Sequence, residues 1–244
     1  MKRRTFVQSL GLAGLGLASK AHAFGRAGQV HFALLEGGDP HQRLAAWKRL
    51  GLELEARTSI SVAPQPVIID SGSDELFNYP LLICCGTAGL PNWDAKRWAR
   101  LAHYLRSGGM IYFDGLGADD AFAGACLARL ARQLPADARQ KAPADHVLYR
   151  SFYLLKTPVG RFSPEQQPEV AIVDGRLVAL AGQVDLAGAL LRDEFGAWAY
   201  PCQPGGEPQR EQAIRFGVNL LMYALCTDYK ADQVHIPFLL KRRR

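Results

Sequence analysis

The sequence predicts an α/β domain with a mostly parallel central sheet, and three features of one stretch indicate it. Leu81–Cys85 is an apolar run bounded by Pro80 and Gly86, which is typical of a strand buried on both faces. A segment whose apolar residues follow the helical period comes next, and Met110–Phe113 then forms a second apolar run. A strand–helix–strand unit this compact implies a parallel pair with a right-handed crossover.

Two turns follow these strands, and both are candidate ligand-binding segments. Ligands of parallel α/β sheets bind beyond the carboxyl ends of the strands. Here those ends lead into Gly86–Leu90 and Asp114–Asp120. The candidate ligand-binding residues in the two turns are Gly86, Asp114, Gly115, Asp119 and Asp120.

The first predicted strand, Gln29–Glu36, leads into the turn Gly37–Pro40. The two glycines allow a tight turn, Asp39 suits a helix cap and Pro40 suits the first helical position, so a helix is predicted to about Ala56. The turn serves chain geometry alone, or its free amides approach a ligand at the helix start. On the second interpretation the ligand-binding candidates are Gly37, Gly38 and Asp39.

The remaining elements follow from the same patterns. A hairpin is predicted around Asp174-Gly175, a strong turn signal. A core helix is predicted over Ala213–Cys226, with Gly217 allowing close approach of another backbone. The other predicted elements are a short strand over Val67–Asp70, a helix over Ala121–Leu134, a loop over Ala136–Ala144 and an extended run from Asp145 that continues towards Leu155.

The amino terminus has the pattern of an export signal. Lys2–Gln8 resembles the twin-arginine motif, and a weakly apolar stretch, Leu10–Ala18, follows. Ala21–Ala23 is a small-x-small cleavage site. We therefore predict a signal over residues 1–23, a single domain over residues 24–244 and a periplasmic location. An uncleaved signal would instead tether the protein to the membrane, and no other segment is apolar enough to span it.

Charge argues against nucleic acid as a partner. The chain of 244 residues carries a formal net charge of +6, but four of its 29 basic residues lie in the predicted signal. Without them 25 basic residues face 23 acidic ones, so the body of the protein is close to neutral. The predicted partner is a small polar ligand or an envelope protein, and no cofactor is predicted.

The five cysteines do not form the pattern of a disulfide framework. Cys84, Cys126 and Cys226 are predicted to be core residues. Cys85 ends a strand near the predicted ligand edge, but no His or carboxylate accompanies it locally, so a nucleophilic role is not favoured.

Several short motifs, in a fixed order, resemble an uncharacterised bacterial family of unknown function with a class I glutamine amidotransferase-like fold. The motifs are Gly37-Gly38-Asp39, Phe77–Pro80, Leu105–Gly109, Asp145-His146, Asp174–Arg176, Asp185–Gly188 and Gly217–Leu220. The resemblance implies a flavodoxin-like, three-layer fold and no known activity. In active amidotransferases the turn after such a Gly-rich lead and strand carries a nucleophilic Cys. Here that position is Asp114.

The carboxylates leave two functional classes open. Asp114, Asp119 and Asp120 surround one strand end, and Asp39, Asp145, His146 and Asp185 flank other predicted strands. One hypothesis is a non-catalytic binding or scaffold domain, in which Asp114 accepts amides of its own turn. The alternative is a hydrolase or lyase for a small polar or sugar-like substrate, with catalytic candidates Asp114, His146 and Asp185. No spacing typical of a zinc site is present, so no metal is predicted.

Overall fold

The computed structural model describes residues 29–87, 89–117, 121–164 and 166–241, with side chains as far as Cys226. The strands are β1 (Ala33–Leu35), β2 (Val67–Ile69), β3 (Leu81–Gly86), β4 (Met110–Gly115), β5 (Arg139–Lys141), β6 (Glu169–Val173) and β7 (Arg176–Gly182). The α-helices are α1 (Pro40–Arg57), α2 (Ala95–Arg106), α3 (Phe122–Ala131), α4 (Leu186–Leu190) and α5 (Gly206–Lys241). Short 3-10 helices cover Asp74–Asn78 and Val147–Arg150.

The seven strands form one sheet in the order β2-β1-β3-β4-β7-β6-β5. β1 pairs in parallel with β2 and β3, and β4 pairs in parallel with β3 and β7. β6 and β5 complete one edge with antiparallel pairing. The mostly parallel sheet and the parallel β3–β4 pair predicted from the sequence are therefore confirmed.

Helices cover both faces of the sheet, which gives three layers. Trp47 of α1 and Phe216 of α5 pack on one face around Tyr112 of β4. Trp98 of α2 and Leu127 of α3 belong to the core on the opposite face. Because successive side chains of a strand point to opposite faces, the apolar runs of β3 and β4 supply both cores.

The hairpin and the second helix form where the sequence predicts them. Asp174 and Gly175 both have positive φ, as a tight hairpin turn requires, and they connect β6 to β7. The Asp94 carboxylate caps α2 by accepting the amide of Arg97 at 2.8 Å.

The segment after Asp145 is not extended, which corrects the prediction. It turns through the 3-10 helix, and the side chain of Asn219 on α5 satisfies the backbone that follows it. The Asn219 Oδ1 accepts the amides of Phe152 and Tyr153 at 3.2 and 2.7 Å, and its Nδ2 donates to the carbonyls of Leu148 and Tyr153 at 3.0 and 2.8 Å. A side chain here replaces the strand partner that the backbone would otherwise need.

The predicted loop over Ala136–Ala144 contains the edge strand β5, a second correction. All three β5 residues are exposed, so no alternation of polar and apolar residues marks this strand. The Arg139 guanidinium forms an ion pair with Glu169 on the neighbouring strand at 2.6 Å.

The carboxyl-terminal helix is confirmed as a core element and is longer than predicted. Ile214, Val218 and Leu221 are buried. A Cβ at Gly217 would lie 2.5 Å from a Leu50 methyl of α1, so the glycine allows close packing of two helices. Cys226 is exposed, which corrects its assignment to the core.

Among the described residues, no helix combines the length and the apolar character needed to cross a membrane.

Candidate functional site

Asp114 lies at the carboxyl end of β4 and is fully buried. Its two carboxylate oxygens accept the amides of Leu186 and Ala187, each at 2.9 Å. The hydroxyl of Tyr112 donates to Oδ1 at 3.3 Å. These amides belong to the first turn of α4, which follows the neighbouring strand β7. The sequence-based hypothesis had Asp114 accept amides of its own turn instead.

Asp185 occupies the N-cap position of α4 and is also fully buried. Its φ of 49° is left-handed, a conformation that Asp tolerates better than most residues. Oδ1 accepts the amide of Gly188 at 2.8 Å, and a Cβ at Gly188 would lie 2.2 Å from Oδ2. The Nε of Arg161 lies 2.7 Å from Oδ2. The motif Asp185–Gly188 is therefore a capped helix start, and its last position accommodates only glycine.

The electrostatics of this pair favour a proton on Asp114. Burial and then the nearby Asp185 carboxylate raise the pKa of Asp114 to about 8, whereas its two amide bonds act in the opposite direction. Burial likewise raises the pKa of the Tyr112 hydroxyl well above its ordinary value. A raised pKa is a property of general acids, but both groups are fully buried.

The Cys85 thiol is equally closed off. It is buried under α1, where its Sγ accepts the indole N–H of Trp47 at 3.2 Å. Burial and then the Asp114 carboxylate raise its pKa well above the ordinary value, so little thiolate forms. The local environment, like the sequence, therefore disfavours a nucleophilic role for Cys85.

The turn Gly37–Asp39 packs tightly onto the end of β3. The amide of Asp39 donates to the carbonyl of Cys85 at 2.8 Å. A Cβ at Gly38 would lie 1.9 Å from that same carbonyl oxygen, so a side chain cannot be accommodated. Gly37 has a φ of 107° and faces the Trp93 ring. These contacts account for both glycines through chain geometry.

Gly86 and Gly115 end the paired strands β3 and β4 opposite each other. A Cβ at Gly86 would lie 2.4 Å from the ring of Phe122 at the start of α3. Gly86 therefore makes room for an aromatic ring. Asp119 and Asp120 lie outside the described residues.

Asp145 and His146 lie at the opposite end of the sheet from Asp114. The His146 ring packs edge-on against Tyr223, with ring centroids 5.4 Å apart. The Tyr223 hydroxyl accepts the amide of Leu177, near the amino end of β7. His146 caps the 3-10 helix, because its Nδ1 accepts the amide of Leu148 at 3.2 Å, and burial lowers its pKa. The structure does not bring this histidine to Asp114 or Asp185.

An open cleft of about 590 Å³ adjoins the carboxyl end of β7, and we call it the glutamine cleft. It is lined by Lys141, Pro158, Phe162, Ser163, Pro164, Gln166, Gln167, Pro168, Ala181, Gly182, Gln183, Val184 and Gln203. A second cavity of about 440 Å³, next to α3, shares Lys141, Ala181 and Gln183 with it. Amide side chains beside an aromatic ring and prolines suit a polar ligand.

Sequence analysis missed the residues that line this cleft. Gln183 directly follows β7, so the rule that ligands bind beyond strand ends already pointed to it. Gln167 and Gln203 lie on loops that no period or motif connects to the sheet edge. The Gln209 side chain holds these loops by donating to the carbonyls of Gly160, Arg161 and Gln203 at 2.9–3.0 Å.

Within the residues that the structure describes, no group of three or more His, Cys, Asp or Glu side chains is arranged to hold a metal ion.

The family described as a domain of unknown function, DUF4159, matches residues 29–225. The match covers every described strand and the helices α1 to α4. A search of curated proteins found no similar sequence.

Proposed function

We propose that this chain, which belongs to the DUF4159 family of domains of unknown function, is an exported binding or scaffold protein of the bacterial cell envelope. In this proposal it does not catalyse a reaction. The observation that carries the proposal is the state of Asp114. The resemblance to amidotransferases implies a nucleophile at this position, but its buried carboxyl group is instead engaged by Leu186, Ala187 and Tyr112. Its function is to fix the start of α4 against the sheet.

The strand order supports a flavodoxin-like, amidotransferase-like fold for this domain. If β7 is counted as the fifth parallel strand, the order β2-β1-β3-β4-β7 corresponds to the flavodoxin order 2-1-3-4-5. In that fold ligands bind at the carboxyl edge of the sheet, which is where the glutamine cleft opens.

The ligand that we propose is small and polar, with sugar-like molecules as the first class to test. Gln183 contributes to both cavities at this edge, and each amide side chain offers donors and an acceptor to hydroxyl groups. Phe162 supplies an apolar surface for the ring of such a ligand.

A thermal-shift and calorimetric screen of mono- and disaccharides and short peptides tests this proposal. We expect saturable binding of at least one compound, weakened roughly tenfold by Gln183→Ala, the equivalent of about 1.4 kcal/mol. Gln140→Ala is the matched control, since Gln140 is exposed on β5 next to Lys141 but does not line the cleft. Mass spectrometry after incubation should find the bound compound unchanged.

The alternative, a hydrolase or lyase, has one observation in its favour, the raised pKa of Asp114 beside Asp185. It requires these carboxylates to become accessible. Turnover of any hit by the wild type, abolished by Asp114→Asn in a variant that remains folded, would favour this alternative over simple binding.

Export is tested on the full chain. We expect a periplasmic product whose mass corresponds to a start at Phe24. Replacing Arg3 and Arg4 together by Lys should retain the protein in the cytoplasm if the twin-arginine route is used. An intact amino terminus in the membrane fraction would instead support a tethered protein.

A further inference from the structure

Arg43 is a buried arginine whose charge has no acidic counterpart among the described residues. It lies in the first turns of α1 and retains only 7% of its exposure. Its Nε has no hydrogen-bond partner, and the guanidinium forms no ion pair with any described side chain. Burying a cation without an acceptor is strongly unfavourable, so an unpaired guanidinium is an unusual state for a folded protein.

Arg161 approaches the same aromatic ring and has the acidic partner that Arg43 lacks among the described residues. Arg43 and Arg161 both approach the ring of Tyr200, with their Cζ atoms 5.2 and 4.8 Å from its centroid. Arg161 also has the Asp185 carboxylate at 2.7 Å. Arg43 has the aromatic ring but no carboxylate from the part of the chain that the structure describes. A ring face attracts the cation without accepting its in-plane N–H groups, so the Nε donor remains unsatisfied.

The start of α1 adds positive potential at the same place. Asp39 is the N-cap residue, yet its side chain forms no capping hydrogen bond. The first-turn amides have no intrahelical acceptor, and the helix dipole places partial positive charge there. Because helical side chains lean towards the amino terminus, we expect Arg43 to extend back over this turn.

We propose that Arg43, Tyr200 and the first turn of α1 form a binding site for an oxyanion, the carboxylate or phosphate group of a small molecule. Such a group accepts two parallel hydrogen bonds from a guanidinium. It also neutralises the charge that the fold leaves buried. Neither Arg43 nor Tyr200 lines the glutamine cleft, and the inference does not rest on the proposed function of that cleft.

Titration of the folded, full-length domain with sodium phosphate and with sodium acetate, against sodium chloride at matched ionic strength, tests the site. The readouts are the unfolding temperature and the Nε–Hε resonance of Arg43, assigned in the wild type by through-bond correlation to the backbone of the same residue. Lys48→Met is the matched control, because Lys48 is an exposed cation on the same helix.

For the wild type we expect saturable stabilisation by phosphate or acetate beyond that given by chloride, and a shift of the Arg43 resonance with the same midpoint. Arg43→Met should weaken binding at least roughly tenfold, while Lys48→Met should leave it within about twofold. Arg43→Met should also keep or raise the unfolding temperature in anion-poor buffer, since it removes an unpaired buried charge.

Three results would overturn the site: no saturable effect of either oxyanion on the wild type, an equal loss in both variants, or an Arg43 resonance that does not move. The resonance is read on the wild-type protein, so the proposal stays testable even if Arg43→Met does not fold. A result against this site leaves the sugar-binding test of the cleft unaffected, because the mono- and disaccharides in that test carry no charge.

Discussion

Two helices begin at the same edge of the sheet, and their first turns are satisfied in opposite ways. In α4 the amides of Leu186, Ala187 and Gly188 are all taken by the carboxylates of Asp114 and Asp185. In α1 the N-cap carboxylate forms no capping bond, and the Nε of a buried arginine stands without an acceptor. The chain itself therefore provides the acceptors for the first turn of α4, whereas a ligand would provide them at α1.

The largest effect that we expect comes from disrupting the first turn of α4. Asp114→Ala removes the acceptor of two buried amides and should lower the free energy of unfolding by roughly 2–5 kcal/mol. Urea denaturation at pH 7 measures the loss. Asp137→Ala, at an exposed position, is the control and should change stability by less than about 0.5 kcal/mol. A stable Asp114→Ala protein would mean that α4 does not depend on this carboxylate.

Gly38→Ala tests the other helix start through its packing. The new Cβ would lie 1.9 Å from the Cys85 carbonyl, a backbone atom that cannot move without shifting β3. We expect a loss of about 1–3 kcal/mol by thermal or urea unfolding. Gly124→Ala is the matched control, because the nearest atom to its new Cβ would be 3.5 Å away and alanine favours the helix. An unchanged Gly38→Ala protein would show that the turn is free to move away from β3.

The pH dependence of the free energy of unfolding tests the contribution of Asp114, which accepts the first amides of α4. Its pKa is about 8 in the folded protein, against an ordinary value of 3.8, so the folded state binds more protons between these two values. Its contribution to stability is therefore complete below pH 3.8 and is lost as the pH rises through about 8. One proton gives a slope of at most about 1.4 kcal/mol per pH unit. Urea titrations between about pH 5 and 9 measure the slope, which Asp137→Asn should leave unchanged.

The smallest effect concerns a partly exposed network of ion pairs around Glu211. The Glu211 carboxylate pairs with Arg57 at 2.8 Å and with Arg215 at 2.8 Å, which lowers its pKa to about 2. Its contribution is present above the ordinary glutamate pKa of 4.5 and is lost as the pH falls through about 2. Because all three side chains are partly exposed, Glu211→Gln should cost less than about 1 kcal/mol, and less still in about 1 M salt. A larger, salt-independent loss would mean that this network is structural.

The sequence predicts the elements that carry a hydrophobic period and fails where polar side chains decide the structure. β3, β4 and the β6–β7 hairpin form where their apolar runs and turn residues place them. The 3-10 helix after His146 depends on the long-range bonds of Asn219, which no local pattern reveals. The exposed edge strand β5 has no apolar face by which it could be recognised.

The candidate site was predictable in part for the same reason. Strand ends identify Asp114 and Asp185, because the carboxyl edge follows from the order of strands and helices, whereas Gln183 was missed. The burial of Asp114 and the amides that it accepts could not be predicted, because both depend on how α4 packs against β4. The significance of Arg43 appears only when the structure shows that no acidic side chain among the described residues reaches it.

The arrangement of the thiols has a consequence for where the protein can fold. All five cysteines, each of them described, are free, and Cys84 and Cys85 point into the separate cores on the two faces of the sheet. Neighbouring thiols divided by a sheet cannot form an internal bridge without unfolding it. The folded state described here therefore contains no disulfide. The twin-arginine route proposed for this chain carries folded cargo, and a domain that completes its core in a reducing cytoplasm meets that requirement.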